Sequence, residues 1–115
     1  MVILLVAALA AVQAPATLDG KWTVDLSSEP GKPYTQPMEL TLAADGTVTG
    51  SFYYSTIEAG RWKQARGRLC ASFRTTDGKG PYHSSVCLVG NEAVGQTWAE
   101  HRNFLFNWNA VRPSK

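Results

Sequence analysis

Beyond residue 17 the chain alternates apolar and polar positions with a period close to two, and turn residues interrupt it every eight to twelve positions or so. Trp22, Val24 and Leu26 alternate with Lys21, Thr23 and Asp25, which predicts a first strand. Residues 27–37 are rich in Pro, Gly and Ser and read as one long loop. Met38, Leu40 and Leu42 then share one face, and after Ala44-Asp45-Gly46 the alternation resumes at Val48, Gly50 and Phe52. A two-residue Asp-Gly loop would mix apolar with polar faces. A three-residue loop with Gly46 in the left-handed region pairs Leu42 with Val48, Leu40 with Gly50 and Met38 with Phe52, and keeps one face apolar.

Residues 61–66 form a weaker strand with Trp62 as its inward side chain. Residues 68–75 follow, and Asp77-Gly78-Lys79-Gly80 turns the chain into residues 82–89. Centring that hairpin between Gly78 and Lys79 sets Cys70 opposite Cys87, Leu69 opposite Leu88, Ala71 opposite Val86 and Phe73 opposite Ser84. Gly90-Asn91-Glu92 leads into residues 93–99, and Phe104, Phe106, Trp108 and Ala110 share one face of the last strand. The pattern predicts an all-β fold of about eight consecutive antiparallel strands, a number at which an up-and-down β-barrel closes. A two-sheet sandwich is the alternative.

In such a meander successive loops alternate between the two ends. Connections at 44–46, 66–67 and 90–92 are short and share one end; those at 27–37, 56–60, 76–81 and 100–103 share the other. Binding residues favour longer loops on a rigid scaffold, so the second end is the expected mouth, with Trp22 at the floor. The inward residues expected near it are Tyr54, Trp62, Phe73, Tyr82, Ser84 and Trp98, with Ser28 and Tyr34 on the loop above. Aromatic walls with a few hydroxyls suit a small, partly apolar or aromatic molecule. Rings that meet and fill the barrel are the competing arrangement.

Composition adds the compartment. Residues 1–16 carry no charged side chain, and residues 2–12 form an uninterrupted apolar run, too short for a membrane span of about 20 residues. With Ala14 and Ala16 at the −3 and −1 positions, this reads as a signal peptide cleaved after Ala16, leaving residues 17–115 as a single β-barrel domain that is secreted or periplasmic. An oxidising compartment preserves disulfides, so Cys70 and Cys87 are expected to form a staple on the outer wall; two free thiols are the alternative. Two cysteines are half a structural zinc site, so no metal and no cofactor is expected. A formal charge of +2 is too mild to imply nucleic acid. The basic set Arg61, Lys63, Arg66, Arg68, Arg74 and Lys79 could meet an anionic partner, but strand alternation spreads much of it over the solvated outer wall, which is the preferred reading.

Catalytic motifs such as G-x-S-x-G, H-E-x-x-H and the P-loop are missing from the sequence. His83 is expected outward, opposite Arg74; His101, in Glu100-His101-Arg102-Asn103, lies on a mouth-side loop and is the better functional candidate of the two. No catalytic residue is expected.

Two segments are similar to a known family. Gly20-Lys21-Trp22-Thr23-Val24-Asp25-Leu26-Ser27-Ser28 resembles the opening strand of the avidin and streptavidin family, and Ala44-Asp45-Gly46-Thr47-Val48-Thr49-Gly50-Ser51-Phe52 resembles its second hairpin. Gly95-Gln96-Thr97-Trp98 is more loosely similar to the penultimate strand, whose Trp lines the family's pocket. The resemblance implies a calycin-type barrel with a pocket at the loop end and a ligand-binding role for Ser28. It does not extend to biotin: Val24 stands where the family has an Asn for the ureido oxygen, and Phe52 where it has a Tyr. Loss of such buried partners costs about 1–3 kcal/mol each. The expected function is an exported, non-enzymatic small-molecule-binding module; the alternative is a secreted protein-binding module, such as a protease inhibitor, using loop 27–37.

Overall fold

The computed structural model describes residues 16–114. Apart from Ala16, the segment read as an export signal lies outside the described residues. The strands are β1 (Gly20–Asp25), β2 (Thr35–Leu42), β3 (Thr47–Phe52), β4 (Ser55–Thr56), β5 (Glu58–Ala65), β6 (Arg68–Thr76), β7 (Pro81–Val89), β8 (Glu92–Ala99) and β9 (Phe104–Val111). A single turn of 3₁₀ helix, η1 (Glu100–Arg102), precedes β9. The strands pair in the order β2-β1-β9-β8-β7-β6-β5-β3, and a further β2–β3 pairing closes the ring. The short β4 folds back on the end of β3. The result is a closed eight-stranded, up-and-down antiparallel barrel, and closure excludes the sandwich.

Register follows the hydrophobic pattern. Leu42 pairs with Val48, Leu40 with Gly50 and Met38 with Phe52. Gly46 has φ of +93°, and Asp45 Oδ1 accepts the Thr47 amide N–H at 3.0 Å and the Thr47 hydroxyl at 2.6 Å, which fixes the three-residue loop. In the β6–β7 hairpin Cys70 lies opposite Cys87 and the two form a disulfide, while Ala71 meets Val86 and Phe73 meets Ser84. The inward neighbours Leu69, Ala71, Phe73 and Val86 are buried.

Two boundaries differ from the sequence expectation. The long loop is shorter than 27–37, because β2 begins at Thr35 and its first residues pair with β1. The Tyr34 carbonyl accepts the Leu26 N–H and the Ser27 hydroxyl accepts the Tyr34 N–H, both at 2.8 Å, which folds the loop back on itself. The connection expected at 56–60 is instead a tight turn at Tyr53-Tyr54, both residues at positive φ (51° and 65°). A two-residue turn of this kind suits Asn-Gly, not bulky side chains, so nothing in the sequence marks it.

The barrel is filled at the short-loop end. Trp22 is 2% exposed, its indole N–H donates to the Leu18 carbonyl at 2.9 Å, and the Arg112 guanidinium stacks 3.8 Å from its ring centre. Met38, Leu40, Val48, Leu69 and Val86 continue the core above it. Trp108 lies across β8 where Gly95 leaves room; a Cβ there would stand 2.4 Å from the indole ring. This end is a packed floor.

Candidate functional site

At the opposite end the side chains do not meet. A cavity of about 580 Å³ opens among the turns 53–54 and 77–80, the β1–β2 loop and η1. That volume lies within the range of small-molecule sites, roughly 300–1,000 Å³. The site is built from strand ends. Phe52, Phe104 and Phe106 supply aromatic rings from β3 and β9, Tyr34 and Tyr53 lie above them, and Leu26 and Ser28 come from the β1–β2 loop. Phe104 and Phe106 stack with ring centres 5.7 Å apart and planes within 5°. The Tyr34 and Tyr53 hydroxyls are in contact, which ties the long loop to the strained Tyr53-Tyr54 turn.

Buried hydroxyls reach this chamber from β6 and β8. Thr75 and Thr97 line it and are 4% and 5% exposed. Thr97 Oγ1 accepts the Trp108 indole N–H at 2.8 Å and shares a hydrogen bond with Ser84 Oγ, also at 2.8 Å. The pair Thr97 and Ser84 owns two hydroxyl hydrogens, and their mutual bond uses one. When Ser84 donates, the Thr97 hydrogen is free for an acceptor in the cavity.

The rim is polar. Tyr82 donates its phenolic hydrogen to Asp77 Oδ2 at 2.8 Å, and Arg102 Nη1 donates to Tyr82 Oη at 2.7 Å. Asp77 Oδ1 also accepts the backbone N–H of Lys79 at 2.8 Å and of Gly80 at 3.1 Å. The Lys79 amide and then the Tyr82 hydroxyl hold the Asp77 carboxyl well below its ordinary pKa. Arg102 is shifted upward, chiefly by its hydrogen bond to Tyr82. The guanidinium sits 5.1 Å from the centre of the Phe104 ring, so a fixed cation borders the aromatic wall.

The structure distributes the sequence-selected residues unevenly. Ser28 and Tyr82 line the cavity. Phe73 and Ser84 point inward but sit in the packed core, Phe73 against Phe52 (ring centres 5.7 Å apart) and Ser84 on Thr97. Tyr54 was expected inward; it is 79% exposed, because the chain reverses at the turn before another inward position is reached. Trp62 is inward but at the floor, where its indole N–H donates to the Ala43 carbonyl at 2.7 Å. Trp98 was also expected inward and lies outside, 40% exposed; the inward face of β8 is Ala93, Gly95, Thr97 and Ala99, and the Trp108 ring fills the space over them.

The cavity-lining residues that sequence reasoning did not place at the mouth include Phe52, Phe104 and Phe106, which form its aromatic wall, and Tyr53, Thr75, Asp77, Thr97 and Arg102. Thr75 and Thr97 were available from strict alternation around Phe73 and Ala99. Arg102 was not, since its direction depends on η1 and on Asn103 in the left-handed conformation. His101 faces Asp77 at 3.5 Å and the Tyr82 ring at 5.2 Å. His83 lies outward opposite Arg74, as expected.

Among the described residues no helix is long and apolar enough to cross a membrane, and no group of three or more His, Cys, Asp or Glu side chains is placed to hold a metal ion. Fold and cavity together define a closed antiparallel barrel, plugged at one end and open at the other. Comparison with protein-family models, with curated proteins and with solved structures finds no match for this chain.

Proposed function

We propose that this protein is an exported, non-catalytic binding module that takes a small, partly aromatic molecule into the barrel mouth. The observation that carries this reading is the half-open cavity of about 580 Å³, with stacked phenyl rings on its wall and the Arg102 guanidinium at its edge. A flat apolar ligand replaces water against Phe52, Phe104 and Phe106, and its polar end meets Arg102 or the spare hydroxyl hydrogen of the Thr97–Ser84 pair. Export is supported by the apolar run and the Ala-x-Ala sequence before Thr17, and by the Cys70–Cys87 disulfide. The binding reading is favoured over a wedge-like inhibitory loop because loop and turn meet through Tyr34 and Tyr53, on the border of the cavity.

Native mass spectrometry of protein purified from its own compartment tests this directly. The expected result is a retained mass below about 1 kDa that is released on denaturation, and a thermal shift with aromatic acids that Arg102→Ala abolishes. Protein with no retained molecule, and no thermal shift across a metabolite panel, overturns the reading. Intact mass of the same material tests export, with a chain beginning at Thr17 as the expected outcome.

A further inference from the structure

A second concavity, of about 390 Å³, lies on the outside of the barrel across β5–β8 and apart from the mouth. Its shape follows from side-chain size on a regular lattice. Ser72 and Ser85 are directly opposite one another at its centre, and both are exposed. Large side chains surround these short ones. Arg61 lies opposite Ser72 on one side and Gln96 opposite Ser85 on the other, and the next outward row is Arg74, His83 and Trp98, also in register. Neighbouring strands lie ~4.8 Å apart and outward rows ~7 Å apart. The depression is therefore about 14 Å long and one row deep, the footprint of two or three sugar rings. The bulge in β5 between Glu58 and Arg61, with Ala59 at φ of +53°, interrupts the pairing with β6 and opens this edge.

The lining has specific chemistry. Trp98 offers a 40% exposed indole that no inward packing explains. Such a face, hydrophobic yet electron-rich, stacks against the C–H face of a pyranose. The two serine hydroxyls both donate and accept, which matches a sugar's hydroxyls. Gln96 Nε2 donates to Asn107 Oδ1 at 2.8 Å, which orients its carbonyl oxygen as an acceptor. Arg61 and Arg74 supply positive charge; Glu58 reaches Arg74 only at 3.9 Å, with both side chains about half exposed, so an incoming acid competes with a weak pair. β7 is paired on both sides along the depression, and β6 is interrupted only at the β5 bulge, so the floor between them offers no run of free backbone N–H groups for a phosphate. The guanidinium fork pairs with a carboxylate or a phosphate alike, and the hydroxyl lining beside Trp98 is what favours an acidic sugar.

We propose that this outer saddle is a second binding site, which takes an acidic saccharide: a uronic-acid ring stacked on Trp98, its carboxylate on Arg74 and its hydroxyls on Ser72, Ser85 and Gln96. The site is independent of the mouth and of whatever occupies it. The test is titration of the full chain with a hexuronate trisaccharide, its neutral hexose counterpart and adenosine monophosphate, followed by ¹H–¹⁵N NMR. The expected result is saturable movement of the Trp98 indole signal and of the Ser72, Ser85 and Gln96 amides with the hexuronate, with the Arg102 and Tyr34 amides unmoved. Trp98→Ala and Arg74→Gln, both at exposed positions, are each expected to weaken binding ~10-fold, and Arg102→Ala to leave it unchanged. Equal binding of the neutral sugar, preference for the nucleotide, movement confined to the mouth, or no movement at millimolar sugar would each overturn the proposal.

Discussion

At the scale of single residues, Thr97 joins core to cavity. Its hydroxyl satisfies the buried Trp108 indole and pairs with Ser84, so Thr97→Val keeps the shape but leaves polar groups without a partner. The expected loss is about 1–3 kcal/mol of stability, read from urea unfolding, with little change in the fold by circular dichroism. Tyr54 presents the reverse case. It is held at φ of +65° with its ring in solvent, so the turn is strained and the side chain gains little from burial. Tyr54→Gly is expected to stabilise the barrel by about 1 kcal/mol, read from the same denaturation midpoint. Asp77 carries the pH dependence of the rim. Its pKa in the folded protein lies below the ordinary carboxylate value, so the contacts it makes are fully present above about pH 4 and are lost as pH falls through the lowered folded value. Amide exchange at Lys79 and Gly80 is the measurement; protection is expected to be flat from neutral pH to about pH 4 and to decline only below it.

At the scale of elements, the β6–β7 hairpin shows how much local pattern can decide. The Asp77-Gly78-Lys79-Gly80 turn and the alternation of Leu69, Ala71 and Phe73 allow one register that keeps a single apolar face, and that register forces the cysteines together. The disulfide spans 17 residues, and in the chain-entropy account removing a loop of that length costs about 3 kcal/mol. Reduction is expected to lower the denaturation midpoint without opening the mouth, and thiol labelling of native protein is expected to find neither Cys70 nor Cys87 reactive. The β3–β4 and β8–β9 connections show where local pattern stops. Tyr53-Tyr54 contains none of the residues that mark a turn, and only tertiary contact, Tyr34 with Tyr53 and the Pro37 carbonyl with the Tyr53 N–H at 2.9 Å, explains it. Trp98 misled because size is a poor guide to direction on a strand whose neighbour already carries a Trp inward. Gly95 was the available clue: a small residue at an inward position announces a large ring on the next strand, and Gly95→Ala is expected to cost about 1–3 kcal/mol through overlap with Trp108.

At the scale of the whole molecule, closure sorts the loops. Because every connection is a hairpin, the chain visits the two ends in turn, and the end with the longest connection holds the cavity while the other holds Trp22, Trp62 and Leu18. That division was legible from loop lengths alone, before any site residue was known. The lining itself was legible in part: Ser28 and Tyr82 were expected at the mouth. Phe104 and Phe106 were placed on one face of their strand but not at the mouth, and Arg102, which crosses from a neighbouring turn onto Tyr82, was not foreseen. The barrel thus has two concave surfaces that differ in kind, an aromatic interior mouth and a hydroxylated outer saddle, lined by different residues.

The Arg112 guanidinium hydrogen-bonds the Thr17 and Asp19 carbonyls, at 2.8 and 2.6 Å, below the plugged base. This knot brings the first and last described segments side by side at the pole farthest from the mouth. A short peptide linking them, with fresh termini cut at Asn91, is expected to yield a circularly permuted barrel with its aperture intact. A fluorophore attached beside Thr17 or Arg112 would hang clear of an entering guest and report on tumbling rather than on occupancy.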